Sequence, residues 1–232
     1  MNPAIATPSS PARRWLLRWA LLAALLALSA AAHAGGLGLV PDRPASRFAM
    51  RRTIVVTDVG DTIKITHVNI GTARGIRNPL AIFDGLARWR PVPGMAELYR
   101  EWARQGAEFV YLSGEPESHE RRLRESLEKW GFPPGRIYLN GYGSTAIASQ
   151  KISMAIDLFE YHPGAKFIFV GDSGEGDPEI FGELARTYPQ LRRVYIRRTT
   201  DDSDLRYTRA FRRLPQSAWW VFREPEELGR LP

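Results

Sequence analysis

The residues of this chain best able to do chemistry are polar groups that follow apolar runs. Asp58, Asp61 and Thr62 come after the β-branched stretch Thr53–Thr57, and Ser113-Gly114 after Glu108–Leu112. Lys166–Val170 is followed by Gly171-Asp172-Ser173-Gly174-Glu175-Gly176-Asp177, and Lys151 stands at the start of the amphipathic stretch leading to that run. If these groups converge, they suit phosphoryl transfer. Carboxylates hold a divalent cation, lysine and hydroxyl groups bind nonbridging oxygens, and one carboxylate can attack phosphorus. Each residue alone also has a local reading, since an acid after a strand often caps a turn and a lysine at a helix start is usually solvated. The joint placement carries the weight.

The elements needed to bring these residues together follow from periodicity. Thr53–Thr57, Glu108–Leu112, Lys166–Val170 and Arg193–Ile196 read as buried strands, with Arg136–Leu139 as a short one. Met95–Arg104, Glu117–Trp130, Lys151–Tyr161 and Pro178–Tyr188 read as helices, punctuated by Pro93-Gly94, Gly106, Gly131 and Pro163-Gly164. Strand–helix alternation predicts an α/β fold, a Rossmann-like three-layer sandwich with a central parallel sheet and helices on both faces. Active sites in such sheets gather at the carboxyl ends of the strands. The segment between the first strand and Pro93 leaves room for at most a small cap, and Trp219-Trp220-Val221-Phe222 reads as one more strand or a packing anchor.

The 232 residues suffice for one sizeable domain. Residues 1–34 read as a signal peptide: Arg13, Arg14 and Arg18 precede an apolar run from Trp19 to Ala32, and Ala32-His33-Ala34 offers small residues for cleavage. The run falls short of the roughly 20 residues of a spanning helix. Arg13-Arg14 also has the form of a twin-arginine signal. Residues 35–50 read as a linker and 51–232 as the folded domain. An exported chain with no cysteine has no disulfide framework and no thiolate metal site. Cleavage near Gly35 removes three arginines and no acids, taking the formal charge from +7 to +4. That balance suits anionic partners.

Four segments carry a resemblance. Thr57-Asp58-Val59-Gly60-Asp61-Thr62-Ile63-Lys64 resembles the first motif of the haloacid dehalogenase superfamily, Asp-x-Asp-x-Thr. Tyr111-Leu112-Ser113-Gly114 resembles its second motif, Lys151 its third, and Gly171-Asp172-Ser173 through Asp177 its fourth. More narrowly, Pro91-Val92-Pro93-Gly94-Met95, Asp177-Pro178-Glu179-Ile180 and Tyr195-Ile196-Arg197 resemble the catalytic domain of the actin-patch phosphatidate phosphatase family, over roughly Thr53 to Arg198. The resemblance implies a haloacid dehalogenase-like fold and a Mg²⁺-dependent phosphatase acting through an aspartyl-phosphate on lipid phosphates or other phosphomonoesters. Asp58 would be nucleophile and metal ligand, Ser113 and Lys151 would steady the phosphoryl oxygens, and Thr62 belongs to the catalytic set. Asp172, Asp177 and the Gly60 carbonyl would complete the metal site, Asp177 as a ligand or as an orienting carboxylate.

One position departs from the family. Its second aspartate, which protonates the leaving alcohol and then activates water, is Gly60 here. Losing a general acid typically costs about 10²- to 10⁴-fold. Three readings follow: a substitute acid such as Asp61 or His67, a substrate with a good leaving group, or a catalytically impaired module that binds phosphate or phospholipid. Asp61 is disfavoured geometrically, because neighbouring residues leaving a strand point in different directions.

Other readings are weaker. Gly171-Asp172-Ser173-Gly174 shares letters with serine-hydrolase nucleophile motifs, but it lies in the wrong strand context. His67, His119 and His162 show no zinc spacing. The cluster Arg192, Arg193, Arg197, Arg198, Arg206, Arg209, Arg212 and Arg213 reads first as a solvated edge and helix, diluted by Asp201, Asp202 and Asp204, and second as a lipid- or phosphate-facing patch. Nucleic acid is not an expected partner. A phosphate ester or phospholipid substrate is, with peripheral contact to a membrane surface, in a periplasmic or secreted location.

Overall fold

In the computed structural model, residues 52–65, 90–139 and 147–232 are described. The expected signal peptide and linker, His67 and most of the possible cap lie outside the described residues.

Six strands form one sheet: β1 (Thr53–Asp58), β4 (Ala107–Ser113), β5 (Gly135–Leu139), β6 (Lys166–Asp172), β7 (Leu191–Arg197) and β8 (Trp219–Phe222). Their order is β5-β4-β1-β6-β7-β8 and every pairing is parallel. A two-residue antiparallel ribbon, β2 (Lys64–Ile65) with β3 (Arg90–Pro91), closes the base of the segment where the cap was expected. The helices are α1 (Met95–Arg104), α2 (Glu120–Lys129), α3 (Ile147–Tyr161), α4 (Asp177–Thr187) and α5 (Asp204–Ala210).

Period-2 alternation in the central strands builds the three layers. Ile54 and Val56 face one side, against Leu158 and Phe159 of α3, Phe181 and Leu184 of α4 and Phe211 beyond α5. Val55 faces the other, against Met95, Tyr99 and Trp102 of α1 and Leu123 of α2. Tyr99 stacks on Trp102 and lies against Phe109 and Phe132, and its hydroxyl meets Thr57 Oγ1 at 2.8 Å. The residue before Asp58 is thus anchored from inside the core. The aromatic C-terminus is the edge strand β8, with Phe222 buried and Trp219 stacked on Phe211 at 4.9 Å.

Several boundaries differ from the sequence reading. Glu117–Trp130 divides into a 3₁₀ turn (Glu117–His119) and α2. The strand ends extend to Ser113 and Asp172, placing those side chains on the last pleats rather than in loops. Lys151 does not open its helix: α3 begins at Ile147, because the polar Ser149 and Gln150 sit within a helix-forming run. Lys151 therefore belongs to the buried stripe that continues through Ala155, Leu158 and Phe159. Strand order reverses between β1 and β6, so the crevice outside their carboxyl ends is where this topology places a ligand.

Gly182 lets α4 approach α5. A Cβ there would fall inside the van der Waals contact of the Ala210 carbonyl oxygen, a backbone atom that cannot swing away. Overpacking costs about 1–3 kcal/mol, against up to about 1 kcal/mol of helix propensity regained by alanine. Gly182→Ala should therefore lower Tm by several degrees in a thermal melt. An unchanged or higher Tm would show that α5 yields freely.

Candidate active site

β1, β4 and β6 deliver Asp58, Ser113 and Asp172 to one edge of the sheet. Asp58 lies level with Leu112 on β4, and Thr57 level with Val170 on β6. α3 brings Lys151 to the same edge and α4 begins there with Asp177. The sequence-selected residues Asp58, Thr62, Ser113, Lys151, Asp172 and Asp177 are all buried.

Lys151 ties the group together. Its Nζ stands 2.9 Å from Asp58 Oδ1, 2.7 Å from Asp177 Oδ1 and 2.9 Å from Glu175 Oε2. At 3% exposure it is not the solvated helix-start lysine of the local reading. Asp58 is held on its other oxygen by the Thr62 hydroxyl at 3.2 Å, so both carboxylate oxygens have fixed partners. The second oxygen of Asp177 accepts the Asp172 N–H at 3.2 Å. That approach requires Gly171, where a Cβ would collide with the Asp177 carboxylate and the Phe181 ring. Asp172 Oδ1 accepts from the Gly174 N–H at 2.5 Å and from Thr199 at 3.3 Å, while its Oδ2 is buried without a partner among the described residues. Ser113 accepts the Glu115 N–H at 3.2 Å.

The electrostatics follow from crowding acids out of water. Burial pushes the Asp58 carboxyl well above its ordinary range; Lys151 pulls it down, while Asp177, Glu175 and Asp172 push it further up. Asp172 rises for the same reasons, burial first and then Asp177 and Glu175. Burial opposes the Lys151 charge, yet Asp177, Asp58 and Glu175 outweigh it and hold the ammonium well above its usual range. Glu175, which the sequence reading did not single out as a site residue, is raised too, by burial and by neighbouring Asp177 and Asp61. Its signal was available only in its position inside the loop that supplies Asp172 and Asp177.

The loop after β1 has two instructive features. Gly60 offers its carbonyl, which already accepts the Thr62 N–H at 2.6 Å. A Cβ at position 60 would stand 3.8 Å from Asp58 Oδ2 and, its chain neighbours aside, meet no other heavy atom of the described residues within 4 Å. Asp61 adopts a left-handed backbone (φ 48°), and its carbonyl accepts from Arg197 Nη1 at 2.7 Å. The alternation argument against Asp61 therefore fails, because the chain has left the strand conformation. Its charge is felt by both Lys64 and Glu175.

Two other expectations are decided by contacts. The Ser173 hydroxyl accepts the Thr199 N–H at 2.9 Å and meets Thr200 Oγ1 at 2.8 Å, so it splices a loop rather than serving as a nucleophile. The arginine cluster is not one solvated face. Arg197 and Arg206 turn toward the site loops, and the interleaved Asp202 and Asp204 are partners of Arg206 and Arg198.

Known proteins resemble this chain in sequence. The chain is 30% identical over 158 residues to the phosphatidate phosphatase APP1 of Saccharomyces cerevisiae, a match covering 62% of this chain and 25% of the yeast protein. It thus spans about a quarter of that relative's length. Among solved structures, a phosphoserine phosphatase in its apo form overlaps at TM-score 0.41 and 11% identity, over 62% of this chain and 86% of that one. The family model for the catalytic domain of phosphatidate phosphatase APP1 matches residues 53–198, a span that contains Asp58, Ser113, Lys151, Asp172 and Asp177, and the chain belongs to that family.

Proposed function

We propose that this protein is a Mg²⁺-dependent phosphatase that transfers the phosphoryl group of a phosphomonoester to Asp58, with lipid phosphates such as phosphatidate among its substrates. The observation that carries the proposal is the Asp58 carboxylate, buried at the β1 terminus and fixed between Lys151 and Thr62 beside Asp172 and Asp177.

The residues fit a divalent cation. Carboxylate oxygens of Asp58, Asp172 and Asp177 lie within 4.8 Å of one another. With Glu175 they place four acids around one ammonium, leaving a formal surplus of three negative charges in a space largely closed to water. Buried surplus charge is costly unless neutralised. The partnerless Asp172 Oδ2 is an open donor position. Asp58, Asp172 and the free lone pair of the Gly60 carbonyl would hold the ion, with Asp177 orienting Asp172 and Lys151 through its two oxygens. When bound, Mg²⁺ would neutralise charge on the transferring phosphoryl group.

The protein's own groups then have distinct tasks. Asp58 attacks phosphorus with one oxygen. Lys151 and the Ser113 hydroxyl donate to phosphoryl oxygens, and the Thr62 hydroxyl keeps the nucleophile in one orientation. The departing alkoxide needs a proton, and the water that later releases phosphate must lose one. Gly60 can do neither. Asp61 is the candidate substitute: its backbone is left-handed, its carbonyl accepts from Arg197, and its charge reaches Glu175. A second reading, an impaired module that binds phosphorylated ligands, is favoured by Gly60 itself.

Two experiments test these statements. Phosphate release from p-nitrophenyl phosphate and phosphatidate should require Mg²⁺ and should vanish in Asp58→Asn. Gly60→Asp, whose Cβ would stand 3.8 Å from Asp58 Oδ2, should leave phosphatidate turnover within about tenfold of wild type if Asp61 supplies the proton; a gain of about 10²- to 10⁴-fold on phosphatidate, with far less on p-nitrophenyl phosphate, whose nitrophenolate departs without a proton, would show that no substitute acid acts. No phosphate release by wild type on either substrate would favour the binding module.

The second reads the charge surplus. Asp172→Asn keeps the acceptor for Gly174 but removes one buried negative charge, so in EDTA it should melt higher than wild type, by roughly 2–4 °C per kcal/mol relieved. The folded Asp172 carboxyl titrates above its unfolded value. Wild type therefore loses stability as pH rises from about 4, the ordinary aspartate range, up to the raised folded pKa. The gap between variant and wild type should be small near pH 4, widen with pH and then level off. Mg²⁺ should restore wild type and leave the variant unmoved. A lower Tm for the variant in EDTA would contradict the surplus.

A further inference from the structure

The family match ends at residue 198, yet a residue beyond it grips the loop that carries Asp172 and Asp177. We propose that Arg206, on α5, is a positioning residue for the cation site: it fixes the backbone between the two aspartates so that they present their carboxylates together. The inference rests on the Mg²⁺ reading above.

The geometry is a guanidinium with all five N–H groups engaged. Nη1 donates to the Ser173 carbonyl at 2.6 Å and to Asp202 Oδ2 at 2.7 Å. Nη2 donates to the Glu175 carbonyl at 2.8 Å and to Glu179 Oε2 at 2.9 Å, and Nε to Glu179 Oε1 at 2.8 Å. The two carbonyls flank Gly174, and Glu179 lies in the first turn of α4, two residues after Asp177. One side chain thus links both halves of the loop to the helix that starts at its end.

The loop needs such a brace. Gly174 and Gly176 give it backbone freedom that must be removed for Asp172 and Asp177 to stay in register. Like charge between the two aspartates also drives them apart, as the upward pressure each exerts on its neighbours shows. Five directed donors in a rigid plane resist that motion, and lysine could not reproduce them. Residues that orient metal-binding carboxylates typically cost about 10- to 100-fold in metal affinity when removed.

The test is Mg²⁺ binding by calorimetry to the metal-free protein, with Tm in EDTA measured in parallel, for wild type, Arg206→Lys, Arg206→Met and Glu179→Gln. The expected result is Mg²⁺ Kd raised about 10- to 100-fold in both Arg206 variants, with Lys rescuing little, and a smaller rise in Glu179→Gln. A merely structural role would lower Tm while leaving Kd in the folded variant within twofold of wild type, and that result overturns the proposal. If the Arg206 variants do not fold, Glu179→Gln, which keeps the arginine and four of its five bonds, decides by the same criterion. Absence of Mg²⁺ binding to wild type would overturn the metal reading as well, whereas normal wild-type binding with unchanged variant Kd overturns the brace alone.

Discussion

Everything at the carboxyl edge of this sheet answers to one electrostatic constraint: Asp58, Asp172, Asp177 and Glu175 share a nearly water-free space with the ammonium of Lys151. The lysine reaches Asp58, Asp177 and Glu175, and remains charged only because those acids outweigh its own burial. Charges of this density are held in place by the rest of the fold. β1 and β6 run side by side so that Asp58 and Asp172 end within one residue of the same level, Gly171 gives up its side chain so that Asp177 can come close, and α3 turns its buried stripe so that a lysine continues a row of core residues. A structure that accepts this cost for no chemical return would be replaced by a better-packed apolar one at no loss of stability.

The same constraint accounts for the scaffolding around the site. Tyr99, deep in the aromatic cluster of α1, holds Thr57 directly before Asp58. Ser173 gives its hydroxyl to the backbone at Thr199 and Thr200, and Arg206 gives its guanidinium to the backbone on either side of Gly174. Lys64, almost wholly buried, pairs with Glu115, whose N–H reaches Ser113, so the loops after β1 and β4 are linked as well. These contacts brace the loops that carry Asp58, Ser113 and Asp172, and orientation within a fraction of an ångström depends on such bracing.

Much of this could be read from the chain alone, for physical reasons. Apolar runs of β-branched residues are strands wherever the rest of the fold cooperates, and polar residues at their ends must share an edge if the strands are parallel. That argument located Asp58, Ser113 and Asp172. Local periodicity was a poorer guide to Lys151, whose polar neighbours Ser149 and Gln150 hid the first turn of α3. Glu175 looked like an ordinary loop acid because its burial comes from elements distant in sequence. Arg206 looked like one basic residue in a diluted cluster, since nothing local marks an arginine whose partners lie some thirty residues upstream. Strand alternation does not decide the direction of Asp61, because a left-handed residue ends the strand conformation there.

The central claim is that Asp58 is a nucleophile in an assembled phosphoryl-transfer site. Beryllium fluoride with Mg²⁺ mimics a phosphoryl group on a carboxylate, so the most direct measurement is the Tm of the protein with both present and with each alone. The account predicts a rise of several degrees in wild type only when both are present, and none in Asp58→Asn. An equal rise in Asp58→Asn, or none in wild type, would contradict it.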